Sequence, residues 1–249
     1  MIHYTKFNFN AVASAQQPIA PKGKKSEYIN IPLAFDIETS TIKDSGGEPL
    51  SFMYIWQFGI NGVTVYGRTW DEFNDFLNRL HDALYLGKTD ENKRRMAVIY
   101  VHNLAFEFAF AAPYLNIENV FARSPHHVVY FTTKNDFEFR CSYFLTGKSL
   151  ADVSKNTHTK KLVGDLDYNL IRHAKTPLTP QELAYCENDV IVLNEFIAQE
   201  IQRNGDIAKI PLTKTGYVRR EVLEHFKKWD GWKKYRARLR RAFPNLETF

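Results

Sequence analysis

The chain has 249 residues, 44% of them apolar and 24% charged, the balance of a soluble globular protein able to bury a sizeable core. No apolar run approaches a membrane span, and the opening MIHYTKFNFNAVASAQQ lacks the continuous apolar core of a signal peptide. A formal net charge of +5 and 14% aromatic residues suit a nucleic-acid binder without requiring one. The two cysteines, Cys141 and Cys186, show no metal-ligand spacing and read as plain thiols of a reducing cytosol.

Residues 1 to about 30 are polar, with Pro18, Pro21 and KGKK, and read as an arm rather than core. LAFDIETS (33–40) follows as a strand, since Leu33, Phe35 and Ile37 alternate with Ala34, Asp36 and Glu38. Asp36 and Glu38 then project from one side, with alpha carbons roughly 7 Å apart. SFMYIWQFGINGVTVYGRT is a hairpin about Asn61-Gly62. Thr69 caps a helix whose capping box is closed by Glu72. MAVIYV (96–101) reads as a buried strand and LAFEFAFAAPYL as the helix after it. A second hairpin is expected from HVVYFTT, a turn at KND, and FEFRCSYFL. Thr179, Pro180 and Glu182 then open a long helix with a core stripe of Leu183, Cys186, Val190, Leu193, Ile197 and Ile201, stopped at Asn204-Gly205. From Lys227 to Arg241 eight Lys or Arg stand against one acid, interleaved with Trp229, Trp232 and Tyr235. That segment reads equally as a solvated helix and as a DNA contact. This order predicts an α/β fold with a central mixed β-sheet flanked by helices. The expected layout is a polar arm over 1–30, an α/β domain over 31–205 and a basic extension over 206–249.

An Asp-x-Glu pair by itself more often marks an ordinary solvated strand end than a site. Two further acids add weight. Glu107 sits in an otherwise apolar helix, just after a strand that ends at His102-Asn103. Asp189 lies four residues after Tyr185, so the two share a helix face, which Val192 and Phe196 extend inward. A buried Asp on an apolar stripe needs a cation or several donors. GKS at Gly147–Ser149 lacks the first glycine of a phosphate loop, and His126-His127 read as a hairpin entrance rather than a metal site.

Asp36-x-Glu38, Asn103-x-x-Phe106-Glu107 and Tyr185-x-x-x-Asp189, in that order, resemble the 3′→5′ exonuclease domain of family B DNA polymerases. That domain belongs to the DEDDy group of ribonuclease H-like nucleases, and the likeness is to the protein-primed phage branch. SLADV (Ser149–Val153) resembles that branch's Ser/Thr-Leu-x-x-hydrophobic motif, which holds single-stranded DNA and a terminal protein. KKLVGDLDY (160–168) resembles the region of its lysine motif, although Val163 stands where the lysine is expected, leaving Lys160 or Lys161 for the role. The second motif usually ends in Asp; Glu107 carries its carboxylate about 1.5 Å further out.

The resemblance implies a ribonuclease H-like fold with an additional β-hairpin, and two Mg²⁺ or Mn²⁺ ions held by Asp36, Glu38, Glu107 and Asp189. Tyr185 would orient the attacking water, while Thr39, Tyr100, His102, Asn103, Phe106, Ser149, Leu150 and Lys161 would hold the strand. The expected activity is release of nucleoside monophosphates from single-stranded DNA 3′ ends. No polymerase motif is present, so the chain reads as a cytoplasmic phage proofreading module, excised from a longer polymerase or encoded separately. A terminal protein and a polymerase domain are its implied partners. The alternatives are a non-catalytic module binding DNA or terminal protein, and a free-standing ribonuclease of the same group.

Overall fold

The structure, a computed structural model, describes residues 1–242 apart from Val163, Asp165, Tyr168 and Asp230. The chain opens with β1 (Ile2–His3), α1 (Phe9–Ser14), β2 (Ile19–Lys22) and β3 (Ser26–Ile29). β4 (Leu33–Lys43), β5 (Pro49–Ile60), β6 (Val63–Gly67) and α2 (Trp70–Ala83) follow, then β7 (Gly87–Lys88), β8 (Arg94–Val101) and α3 (Leu104–Ala111). Next come β9 (Ile117–Ala122), β10 (Val128–Thr133), β11 (Phe137–Cys141), α4 (Ser142–Thr146), α5 (Leu150–Ser154) and α6 (Pro180–Asn204). α7 (Lys214–Lys228) and α8 (Trp232–Ala242) complete the described elements.

The sheet is mixed, in the order β1-β6-β5-β4-β8-β11-β10-β9, with β3 running parallel to β8 and carrying β2. β8 runs parallel to both β4 and β11; β8 and β11 end together where α3 and α4 begin, whereas β4, paired at Ala34 with Tyr100, runs on to Lys43. The expected turn at Asn61-Gly62 joins β5 to β6, and both capping boxes, Thr69 with Glu72 and Thr179 with Glu182, are formed.

Alternation decides which face of each strand meets which helix. Leu33, Phe35 and Ile37 of β4, Ala97, Ile99 and Val101 of β8, and Phe137 and Phe139 of β11 join one core with Phe73, Phe76, Leu77 and Leu80 of α2. The Phe35 and Phe73 rings stack at 4.5 Å. α6 packs on β4 and β5 from the opposite face. It comes close enough that a side chain at Gly59 would put its Cβ 2.6 Å from Val190 Cγ1.

The N-terminal residues do not form a polar arm. Tyr4, Phe7, Phe9 and Val12 are buried in the main core, and β3 is a full sheet member. The compact first unit spans Met1–Leu212, beyond the expected boundary at 205, because Ile207 and Ile210 are buried too. Residues from Thr213 on form a separate unit. The expected strand FEFRCSYFL ends at Cys141; Ser142–Thr146 turn into α4, which Gly147 closes at φ 65°. β9 adds a strand that the sequence pattern did not reveal.

Candidate active site

β4 delivers two acids to the face opposite its core residues, and α6 delivers a third. One carboxylate oxygen each from Asp36, Glu38 and Asp189 lie within 4.8 Å of one another. The β4–β5 register slips between Glu38 and Thr39, a bulge that re-aims side chains where it occurs. Glu107 of α3 is 4% exposed and lies beside Asp36, while its Oε2 atom has no hydrogen-bond partner among the described residues.

Burial, with Asp189 next, pushes the Asp36 carboxyl up to about 7. Burial followed by the Asp36 charge holds both Glu38 and Glu107 well above the usual carboxylate range. Asp189 is raised by burial, against the pull of Lys161. Buried Glu107 and half-buried Asp36, Glu38 and Asp189 all resist ionising, and among the described residues Glu107 Oε2 has no partner, so the donor set is short of positive charge. All-oxygen ligands of this kind suit a hard divalent cation, and Asp36, Glu38 and Asp189 are the residues that could hold it, with Glu107 beside Asp36.

This has a consequence for stability. Asp36 binds its proton with a value near 7 in the folded chain against 3.8 in an unperturbed one. Between those values the folded chain holds a proton that the unfolded chain has released, so stability falls as pH rises from about 4 to above 7. Thermal melts in EDTA should therefore give a lower Tm at pH 8 than at pH 5.5, and saturating Mn²⁺ should erase the drop.

A cleft of about 580 Å³ opens beside the acids; His102, Asn103, Ser149, Leu150 and Lys161 line it with Asp36 and Asp189. Asn103 occupies the N-cap position of α3 in the left-handed region (φ 65°, ψ 50°), and its side chain makes no capping bond. Asn accepts that conformation better than other residues with a Cβ, and its amide faces the cleft. His102 Nδ1 lies 2.9 Å from Ser142 Oγ. Burial, then Lys161, lowers this imidazole to about 4, so it is neutral at pH 7. Ser149 caps α5, accepting from Asp152 N at 3.1 Å.

Of the two lysines, Lys160 donates to the carbonyls of Ser154, Lys155 and Thr157. Lys161 instead pairs with Asp189, its ammonium 5.2 Å from the Tyr185 ring centroid. Val163 lies outside the described residues. Tyr185 is buried one helical turn before Asp189, as the spacing requires. Thr39 is half-buried beyond the bulge, and Phe106 is 42% exposed with its ring 5.0 Å from Phe110; neither lines the cleft. Tyr100 departs furthest from its expected place: it is buried, its hydroxyl accepting from Arg140 Nη1 at 3.4 Å.

Several neighbours were not anticipated. Gln57, opposite Asp36 on β5, donates to Asp36 Oδ2 at 2.7 Å. A lone amide in the apolar run FMYIWQFGI was the available signal. Arg172 is buried near Glu38, fixed by Glu182 and by its backbone N–H donating to Ser40 Oγ at 2.9 Å. His126 and His127, between β9 and β10, line the cleft rather than merely starting a hairpin.

The fold is one found within a DNA polymerase. The chain is similar to phi29 DNA polymerase in its orthorhombic crystal form, with TM-score 0.58 and 17% identity over 79% of this chain and 35% of that one. The same polymerase complexed with single-stranded DNA gives 0.58 and 16%, over 79% and 36%. Its ternary complex with primer-template DNA and incoming nucleotides gives 0.54 and 17%, over 70% and 31%. The chain thus spans about a third of the polymerase it resembles, and the likeness establishes a shared fold. No family model matches the chain, and no curated protein matches it in sequence.

Proposed function

We propose that the chain is a metal-dependent 3′→5′ exonuclease of ribonuclease H-like fold that acts on single-stranded DNA. Its role would be the proofreading module of a protein-primed phage polymerase. The observation that carries this reading is the meeting of Asp36, Glu38 and Asp189 within 4.8 Å, with Glu107 against Asp36. Bound Mg²⁺ or Mn²⁺ would supply neutralising charge and Lewis acidity to that cluster.

The chain's own residues would do the rest. Water attacks the terminal phosphorus while the bond to the preceding 3′ oxygen breaks, releasing a nucleoside 5′-monophosphate. Tyr185, one turn from Asp189, aims the water with its hydroxyl. Asn103 and the neutral His102 offer hydrogen bonds from the cleft wall, and exposed Phe106 offers a ring for stacking. Ser149 and Leu150 line the same cleft.

One observation favours the non-catalytic rival: Lys161 already pairs with Asp189, as it would in a site that holds no divalent ion. Digestion separates the two. A 5′-labelled single-stranded DNA should shorten as a ladder with Mg²⁺ or Mn²⁺ and stay intact in EDTA. Immediate release of the label as mononucleotide means the opposite polarity, and no shortening with either ion leaves the binding module. A parallel 5′-labelled RNA tests the ribonuclease alternative.

A further inference from the structure

The charge of this chain is divided unevenly. Residues 213–249 hold eleven Lys or Arg against four Asp or Glu, whereas residues 1–212 hold 22 against 24. The unit with the carboxylate cluster is therefore slightly acidic, an unfavourable partner for a polyanionic strand. The entire positive excess sits in the unit that contains α7 and α8.

The two helices direct that charge outward. At about 3.6 residues per turn, Lys233, Lys234, Arg236, Arg238, Arg240 and Arg241 spread over more than half the circumference of α8. Trp232, Tyr235 and Leu239 occupy the remaining arc. That arc is already used, since Phe226 of α7 stacks on Trp232 at 5.6 Å and on Tyr235 at 6.2 Å. Two rings keep open surface, with Trp229 51% and Tyr235 41% exposed. No described residue of α7 or α8 is buried.

A lipid surface would need a free, wide apolar face on α8, and there the apolar arc is narrow and packs in part on Phe226. Sugar–phosphate backbone needs what remains: a broad cationic arc with exposed aromatic rings for sequence-tolerant stacking. We propose that α7 and α8 form a polyanion anchor for single-stranded nucleic acid, so that affinity resides in this unit and cleavage in the other. The choice of a single strand rests on the nuclease reading above; the charge argument does not.

The test is binding, kept apart from cleavage. Full-length protein in EDTA is titrated with a fluorescent single-stranded oligonucleotide across a salt series. In a variant carrying Lys233→Gln, Lys234→Gln, Arg238→Gln, Arg240→Gln and Arg241→Gln, the log–log salt slope should flatten by roughly 0.7 per contacted phosphate, up to about 3.5. Trp229→Ala should weaken binding with the slope unchanged. These side chains are exposed, and an unaltered circular dichroism spectrum confirms the fold. A slope unaffected by the five substitutions overturns the anchor. So does a variant that keeps its DNA affinity but loses binding to anionic phospholipid vesicles. A flattened slope in a protein that degrades nothing with Mg²⁺ or Mn²⁺ upholds the anchor while removing the nuclease.

Discussion

Asp36→Ala combined with Glu38→Ala should abolish degradation, by roughly 10⁴-fold or more, the scale on which essential catalytic groups are lost. The same protein should be more stable than the parent when both are free of metal. Asp36 is held above its ordinary value by burial and then Asp189, Glu38 by burial and then Asp36, so ionising them at pH 8 works against folding. Alanines at both positions remove that opposition. Melting in EDTA at pH 8 should show a raised Tm, and the gain should shrink at pH 5.5, where Asp36 of the parent is largely protonated. The basic helices α7 and α8, and Asn103 and Phe106, are untouched, so single-strand binding should persist. A double variant that is inactive and also less stable would mean the acids were structural members of the fold. Full activity in the double variant would end the metal-dependent reading.

Tyr185→Phe should cost on the order of 10²-fold in kcat, the loss typical of one positioned hydrogen-bonding group. The ring stays, and with it the packing on α6 and the contact with the Lys161 ammonium at 5.2 Å. Only the hydroxyl leaves. KM for the oligonucleotide and the Mn²⁺ concentration for half-activity should hold, because Asp189 remains in place. A drop as deep as that of the Asp36, Glu38 variant would make the hydroxyl a structural requirement of the site. Unchanged kcat would remove it from the reaction.

Parts of this architecture were legible because local chemistry is sufficient for them. Alternation identified β4, the Asn61-Gly62 pair identified its hairpin, and Thr-x-x-Glu boxes marked the starts of α2 and α6. Glu107 and Asp189 were legible because acids on apolar faces are conspicuous, whereas Asp36 and Glu38 gained weight only from the order of the three motifs. Residues 1–30 were misread because Tyr4, Phe7, Phe9 and Val12 follow no period; they are buried by tertiary contact rather than by an amphipathic face. FEFRC runs on into SYFL with its alternation intact, so only Gly147, a left-handed helix stop, signalled α4. Tyr100 could not be placed, because its distance from the cleft depends on Arg140, a residue of a strand 40 positions later. The pairing of Lys161 with Asp189 crosses 28 residues and was equally beyond local pattern.

The carboxylates come from β4, α3 and α6, at positions 36, 107 and 189. Loops of that length close at only a modest extra entropic cost, yet they close late, since non-local pairings form after local ones. The main apolar core is drawn from residues Tyr4 to Cys141, so Asp189 on α6 joins the other acids from beyond it in the chain. If that approach follows the folding transition state, repulsion between ionised acids at pH 8 hastens unfolding of the metal-free chain and leaves its folding rate alone, which unfolding and refolding rates measured in EDTA would show.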